Sequence, residues 1–99
     1  MAREDELTDA ANEEIEAAIL CYESEQPGLG VRFILHMDEV FERIADDPMP
    51  FPVWDKDSGV QRATVEVFPF VVLFSALPTK ILVVAIAHTS RDPGYLTKR

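Results

Sequence analysis

Few side chains in this 99-residue sequence are of types that attack a substrate or hold a metal: one cysteine, Cys21, and two histidines, His36 and His88. Helical metal ligands recur one turn apart at i and i+4. His36, Asp38 and Glu39 miss that spacing and have no second histidine nearby, so no metal is expected. A lone Cys21 excludes an internal disulfide and a four-cysteine zinc site. Its place beside an apolar helical stripe reads as a small buried side chain, not a nucleophile. The run Pro27-Gly28-Leu29-Gly30 is too short for a phosphate cradle and follows a helix where such loops follow a strand, so no nucleotide cofactor is expected. His88 closes an apolar run and reads as a hydrogen-bonded structural histidine.

The elements that must position these residues are legible from periodicity. Leu7, Ala11, Ile15, Ala18, Ile19 and Tyr22 recur at spacings of three and four, which predicts a helix capped by Thr8 or Asp9 and ended by Pro27 and Gly28. Leu29, Phe33, Met37, Val40, Phe41 and Ile44 predict a second helix, stopped by Asp46, Asp47 and Pro48. So short a break implies an antiparallel helical hairpin over about residues 7–47. Residues 48–60 hold Pro48, Pro50, Pro52 and Gly59 and read as an irregular connection, packed on the domain through Phe51, Val53 and Trp54. Strands are expected over about 61–88: Ala63, Val65 and Val67 alternating with polar residues, then 70–77, then 81–88, with a polar tail at 89–99. Such short links permit antiparallel pairing only. The fold class is α+β: one domain over 1–99, an N-terminal antiparallel helical hairpin packed on an antiparallel sheet of three or more strands.

The last two strands are apolar at nearly every position, whereas a sheet covered on one face alternates. With Phe70, Val72, Phe74, Leu82, Val84 and Ile86 toward the helices, Val71, Leu73, Ile81 and Val83 fall on the other face. An apolar face of that size marks a partner interface, a homodimer included, unless the tail or Phe51 and Trp54 cover it.

Charge narrows the classes further. Net charge is −9, with 1–59 at −12 and 60–99 at +3. Direct nucleic-acid binding is not expected of so acidic a chain, because phosphate neutralisation needs clustered Lys and Arg. The longest apolar runs fall far short of the ~18 residues of a membrane span. The acidic start MAREDELTD lacks the apolar stretch of a signal peptide, so a cytoplasmic location is expected.

Tyr22-Glu23, Pro27-Gly28-Leu29-Gly30, Arg32-Phe33 and Phe41-Glu42-Arg43-Ile44 stand in order, with Pro48 and Phe51-Pro52 after them. Arg62, Phe68-Pro69-Phe70 and Val83 to His88 leading into Arg91-Asp92-Pro93 follow. In order and spacing the chain resembles the RelE/ParE family of bacterial type II toxins over about residues 7–96. The resemblance implies a curved antiparallel sheet against a helical hairpin, with an N-terminal strand ahead of the first helix. MAREDE has no strand character, so that strand is expected to be either missing or truncated, and its absence would leave a backbone edge open to a partner strand or a dimer.

RelE-like members resemble ribosome-dependent mRNA endonucleases, which need strand cations and acid–base groups around the scissile phosphate. The corresponding strand positions here hold Glu66, Val67, Val71 and Ser75. Arg62, His88, Arg91 and Tyr95 are what remains of a catalytic set, and each also has a plain structural reading. ParE-like members resemble inhibitors of DNA gyrase without that set. The resemblance therefore implies a growth-arresting, plasmid-stabilising toxin that binds gyrase and is held by an antitoxin; the apolar strand positions Val71, Leu73, Ile81 and Val83 are candidates for that contact, as are the grooves beside the helices. A repurposed, non-toxic interaction module is the remaining reading, raised by the acidity of the chain.

Overall fold

The computed structural model describes residues 4–89. In chain order the elements are β1 (Glu4–Leu7), α1 (Asp9–Glu25), α2 (Leu29–Asp46), β2 (Val53–Asp55), β3 (Val60–Thr64), β4 (Phe70–Ala76) and β5 (Lys80–His88). Thr8 caps α1, its hydroxyl accepting the Ala11 N–H at 3.2 Å. Gly28 sits at φ 88°, a left-handed turn that costs glycine nothing and lets α2 fold back along α1.

The strands form one open sheet in the order β1-β5-β4-β3-β2. All neighbours are antiparallel except β1, which lies parallel to β5 with Leu7 opposite Val83. The expectation of a missing N-terminal strand is thus corrected. Glu4–Leu7 has poor intrinsic strand preference, and its pairing comes from the free backbone edge of β5, a partner 76 residues or so away that local pattern cannot register. Leu7 packs onto the core, and Glu6 meets Lys80 at 3.0 Å across the pair. The connection after Pro48 also contributes a strand, since β2 pairs with β3.

β5 outruns β1, and α1 covers what is left of the edge. Thr8 donates from its backbone N–H to the Val83 carbonyl at 3.0 Å and from its hydroxyl to the Val84 carbonyl at 3.2 Å. One turn and a half later the Glu14 carboxylate accepts the Ile86 N–H at 3.2 Å. Backbone groups that would otherwise template another strand are satisfied by a helix side chain.

The core lies between hairpin and sheet: Phe33, Met37, Val40 and Ile44 from α2 meet Val72, Phe74, Ile81, Val83 and Ile86. Tyr22 and Phe33 pack with Phe68 and Phe70 at ring separations of 4.9 to 6.2 Å, mostly edge to face. Phe68 reaches that cluster because Val67 turns the chain at φ 75°, a strained conformation for a β-branched residue. Val67 is consequently exposed and not the inward strand residue that its alternation with Ala63 and Val65 predicts.

The facing of β5 is also corrected. Leu73 pairs with Ala85 and the next residue, Phe74, with Val83, so β5 carries one extra residue, Val84. A bulge reverses the alternation. Ile81 and Val83 therefore join Ile86 on the helix side, both with 0% exposure, while Leu82 and Val84 fall on the other face, half-buried.

Candidate functional site

Arg62 is exposed on β3 and lies opposite Leu73, on the sheet face turned away from the helices, as its buried neighbour Ala63 requires. His88 ends β5 opposite Phe70 on the helix side, where the two rings meet edge to face at 5.0 Å. The two groups are therefore held on opposite faces of the sheet. Arg91 and Tyr95 lie outside the described residues. Val71 and Ser75 lie on β4, half-buried and on the face away from the helices.

Among the described residues, one further cleft has arginines along its rim. A cleft of about 330 Å³ at the β3 end of the sheet is lined by Arg43, Phe51, Arg62, Thr64 and Glu66. The Arg43 guanidinium rides over the Phe51 ring, 5.6 Å from its centroid, and Gln61 ties the loop down by donating to the Pro48 and Phe51 carbonyls at 2.7 and 2.9 Å. Arg62 reaches this cleft from β3 with its side chain on the face away from α2, so the two guanidiniums do not form a joint anion clamp. Arg43 stood inside the Phe41-Glu42-Arg43-Ile44 run, but nothing in that run says that Phe51 returns to stack beneath it.

A second cleft, about 590 Å³, lies between α1 and the ends of β4 and β5, with Glu13, Glu14, Cys21 and His88 around an apolar floor of Ala18, Phe70 and Ile86. Its carboxylate Glu14 is engaged with the β5 backbone. Cys21 is exposed here, which corrects its expected burial: it lies a residue short of the stripe that ends at Tyr22. Burial raises the Tyr22 phenol above its ordinary value, with the charges of Glu25 and Cys21 adding to the effect. No cluster of three or more metal-ligating side chains exists among the described residues.

Of the four apolar positions expected to meet a partner, Val71 is half-buried and Leu73 is 3% exposed, both on the face away from the helices. Ile81 and Val83 are core residues, for the bulge places them under the hairpin.

A family model described as the ParE toxin of the type II toxin-antitoxin system, parDE, matches residues 6–93. The chain belongs to the ParE toxin family. This ParE-family fold also superimposes on a solved chain titled "Chromosomal ParDE TA system from P. aeruginosa" with a TM-score of 0.77, covering 90% of this chain and 98% of that one. The two sequences are 16% identical, so this likeness speaks to the fold alone. No curated protein sequence matches the chain significantly. Among the described residues no helix is long and apolar enough to cross a membrane.

Proposed function

We propose that this ParE-family toxin acts by binding protein, inhibiting DNA gyrase in the bacterial cytoplasm, and that an antitoxin neutralises it. The observation that carries this reading is the placement of Arg62 and His88 on opposite faces of the sheet, with apolar Val71 between β3 and β5. In-line cleavage of RNA needs the proton-moving and charge-stabilising groups on one phosphate, within about 3 Å of the reacting atoms. Groups held on opposite sides of a sheet do not converge in that way, whereas a binding protein needs no such convergence. We assign the antitoxin contact to the outer sheet face at half-buried Val71; Leu73, at 3% exposure, offers a partner no surface and drops out of the expected contact set.

Expression without an antitoxin should arrest bacterial growth, and the purified chain should inhibit gyrase supercoiling in a dose-dependent manner. Translation-dependent mRNA cuts, abolished by Arg62→Ala or Arg91→Ala, would replace this reading with the nuclease. Net charge −9 favours one second reading, a non-toxic interaction module, because so acidic a chain repels acidic surfaces. Unimpaired growth at high soluble expression would favour it.

A further inference from the structure

The first half of α2 is apolar on most of its circumference, with Arg32 and His36 taking the remaining side. Phe33 and Met37 face the core, while Val31, Ile34 and Leu35 point outward at 58%, 37% and 61% exposure. Val31, Ile34 and Leu35 widen the apolar stripe beyond what the sheet covers, and that surplus calls for a second covering surface. α1 adds Leu20, 72% exposed and opposite its buried Ala11 and Ala18. The two helices touch where Gly30 meets the Ile19 carbonyl and the Glu23 side chain. Leu20 and Val31 are the next residues on either side of that contact, so the exposed groups share one end of the hairpin, beside the Gly28 turn.

Acidic side chains continue the same outward rows away from this end. Val31 and Leu35 are followed by Asp38 and Glu42, and Leu20 is preceded by Glu16 and Glu13, all exposed. Residues 9–46 together carry ten acidic and two basic side chains. We infer that the outward face of the hairpin docks a cationic amphipathic helix of a partner protein, whose apolar stripe covers Leu20, Val31 and Leu35 while Lys and Arg meet the acidic rows. This rests on the protein-binding reading and names the chemistry of its partner. A second copy of the chain is a poor occupant, because an isologous contact would set one acidic hairpin against another. An anionic lipid surface is repelled for the same reason.

The test uses the purified full-length chain and a labelled helical peptide of about 18 residues, with Leu at i, i+3, i+4 and i+7 and Lys elsewhere. Binding is read by fluorescence anisotropy, and the contacted amides by NMR. The peptide should perturb amides around Leu20, Val31 and Leu35 and weaken with added salt. The double variant Leu20→Gln/Leu35→Gln, which keeps good helix formers at exposed sites, should bind at least about tenfold more weakly. Three outcomes would overturn the proposal: equal binding by that variant, equal binding of a peptide with the same charge but no apolar stripe, or shifts confined to the sheet. Concentration-dependent dimerisation abolished by the double variant would also overturn it, in favour of a second copy. Neither readout involves gyrase, so a failed supercoiling assay and a failed docking assay are separate results.

Discussion

Glu23 holds the start of the opposite helix through Gly30. Its carboxylate oxygens accept the Gly28 N–H at 2.9 Å and the Gly30 N–H at 3.0 Å. The cap residue Gly28 has no side chain to offer, so α1 supplies from outside what an N-cap serine or aspartate supplies from within. The negative charge also faces the positive end of the α2 dipole. Glu23→Ala should cost about 1 kcal/mol in urea unfolding. Glu23→Gln, which keeps an acceptor but loses the charge, should cost less.

Gly30 is needed for a steric reason as well. A Cβ there would sit 3.0 Å from the Ile19 carbonyl oxygen, a backbone atom that cannot swing aside. Gly30→Ala therefore forces the helices apart, and its better helix propensity does not offset that. Thermal unfolding should show a loss of about 1–3 kcal/mol. A gain in stability would mean that the hairpin tolerates a wider spacing.

These two contacts explain which parts of the fold were legible. The hairpin could be read because its determinants are local: a 3.6-residue stripe, Pro27-Gly28 at the turn and the acid at position 23 all lie within one stretch of chain. β1 could not, because its four residues are strand only by virtue of β5, far along the sequence. Ile81 and Val83 were assigned to the wrong face because one bulged residue, Val84, inverts a period-two pattern without any glycine or proline to announce it. The same limit applies to the site. Residue types group Arg62 and His88 in one candidate set, but only the pairing of β3, β4 and β5 assigns each to its face.

Glu14 is a long-range contact with a measurable cost. Glu14→Ala removes the acceptor of the Ile86 N–H in a part-buried setting. The orphaned donor should destabilise the chain by about 1–3 kcal/mol. Because that N–H then lies on an open strand edge, light scattering on warming should also detect earlier aggregation than in wild type. Hydrogen exchange at Ile86 should accelerate more than at Val72 in the centre of the core.

Two aspartates should respond to acid with opposite signs. Desolvation raises the Asp5 carboxyl above its ordinary value of 3.8. The folded state therefore binds that proton more tightly than the unfolded chain, and stability falls as pH rises through the window above 3.8. Asp5→Asn should raise Tm slightly at pH 7, with the gain vanishing below about pH 3.5. Asp55 is lowered, chiefly by the Ser58 hydroxyl that donates to it at 2.7 Å and then by the Asp57 N–H. Its contribution is present at neutral pH and lost as pH falls through the depressed value, so Asp55→Asn should narrow the acid dependence without any gain in Tm at pH 7.

The two faces of the sheet can be separated by a matched pair of valines. Val83 is fully buried beneath the hairpin, whereas Val71 is half-buried on the far side. Val83→Ala deletes two buried methyl groups and should cost about 1–3 kcal/mol, read from the shift of the urea midpoint at unchanged slope. Val71→Ala removes the same atoms with less loss of burial and should cost less than half as much. If the outer face is where an antitoxin docks, Val71→Lys should leave the isolated toxin folded yet weaken antitoxin binding by about tenfold or more, since it places a charge in an apolar contact. Unchanged affinity in Val71→Lys, measured by calorimetry on the purified pair, would move the antitoxin contact off this face and leave Val71 with a purely structural role.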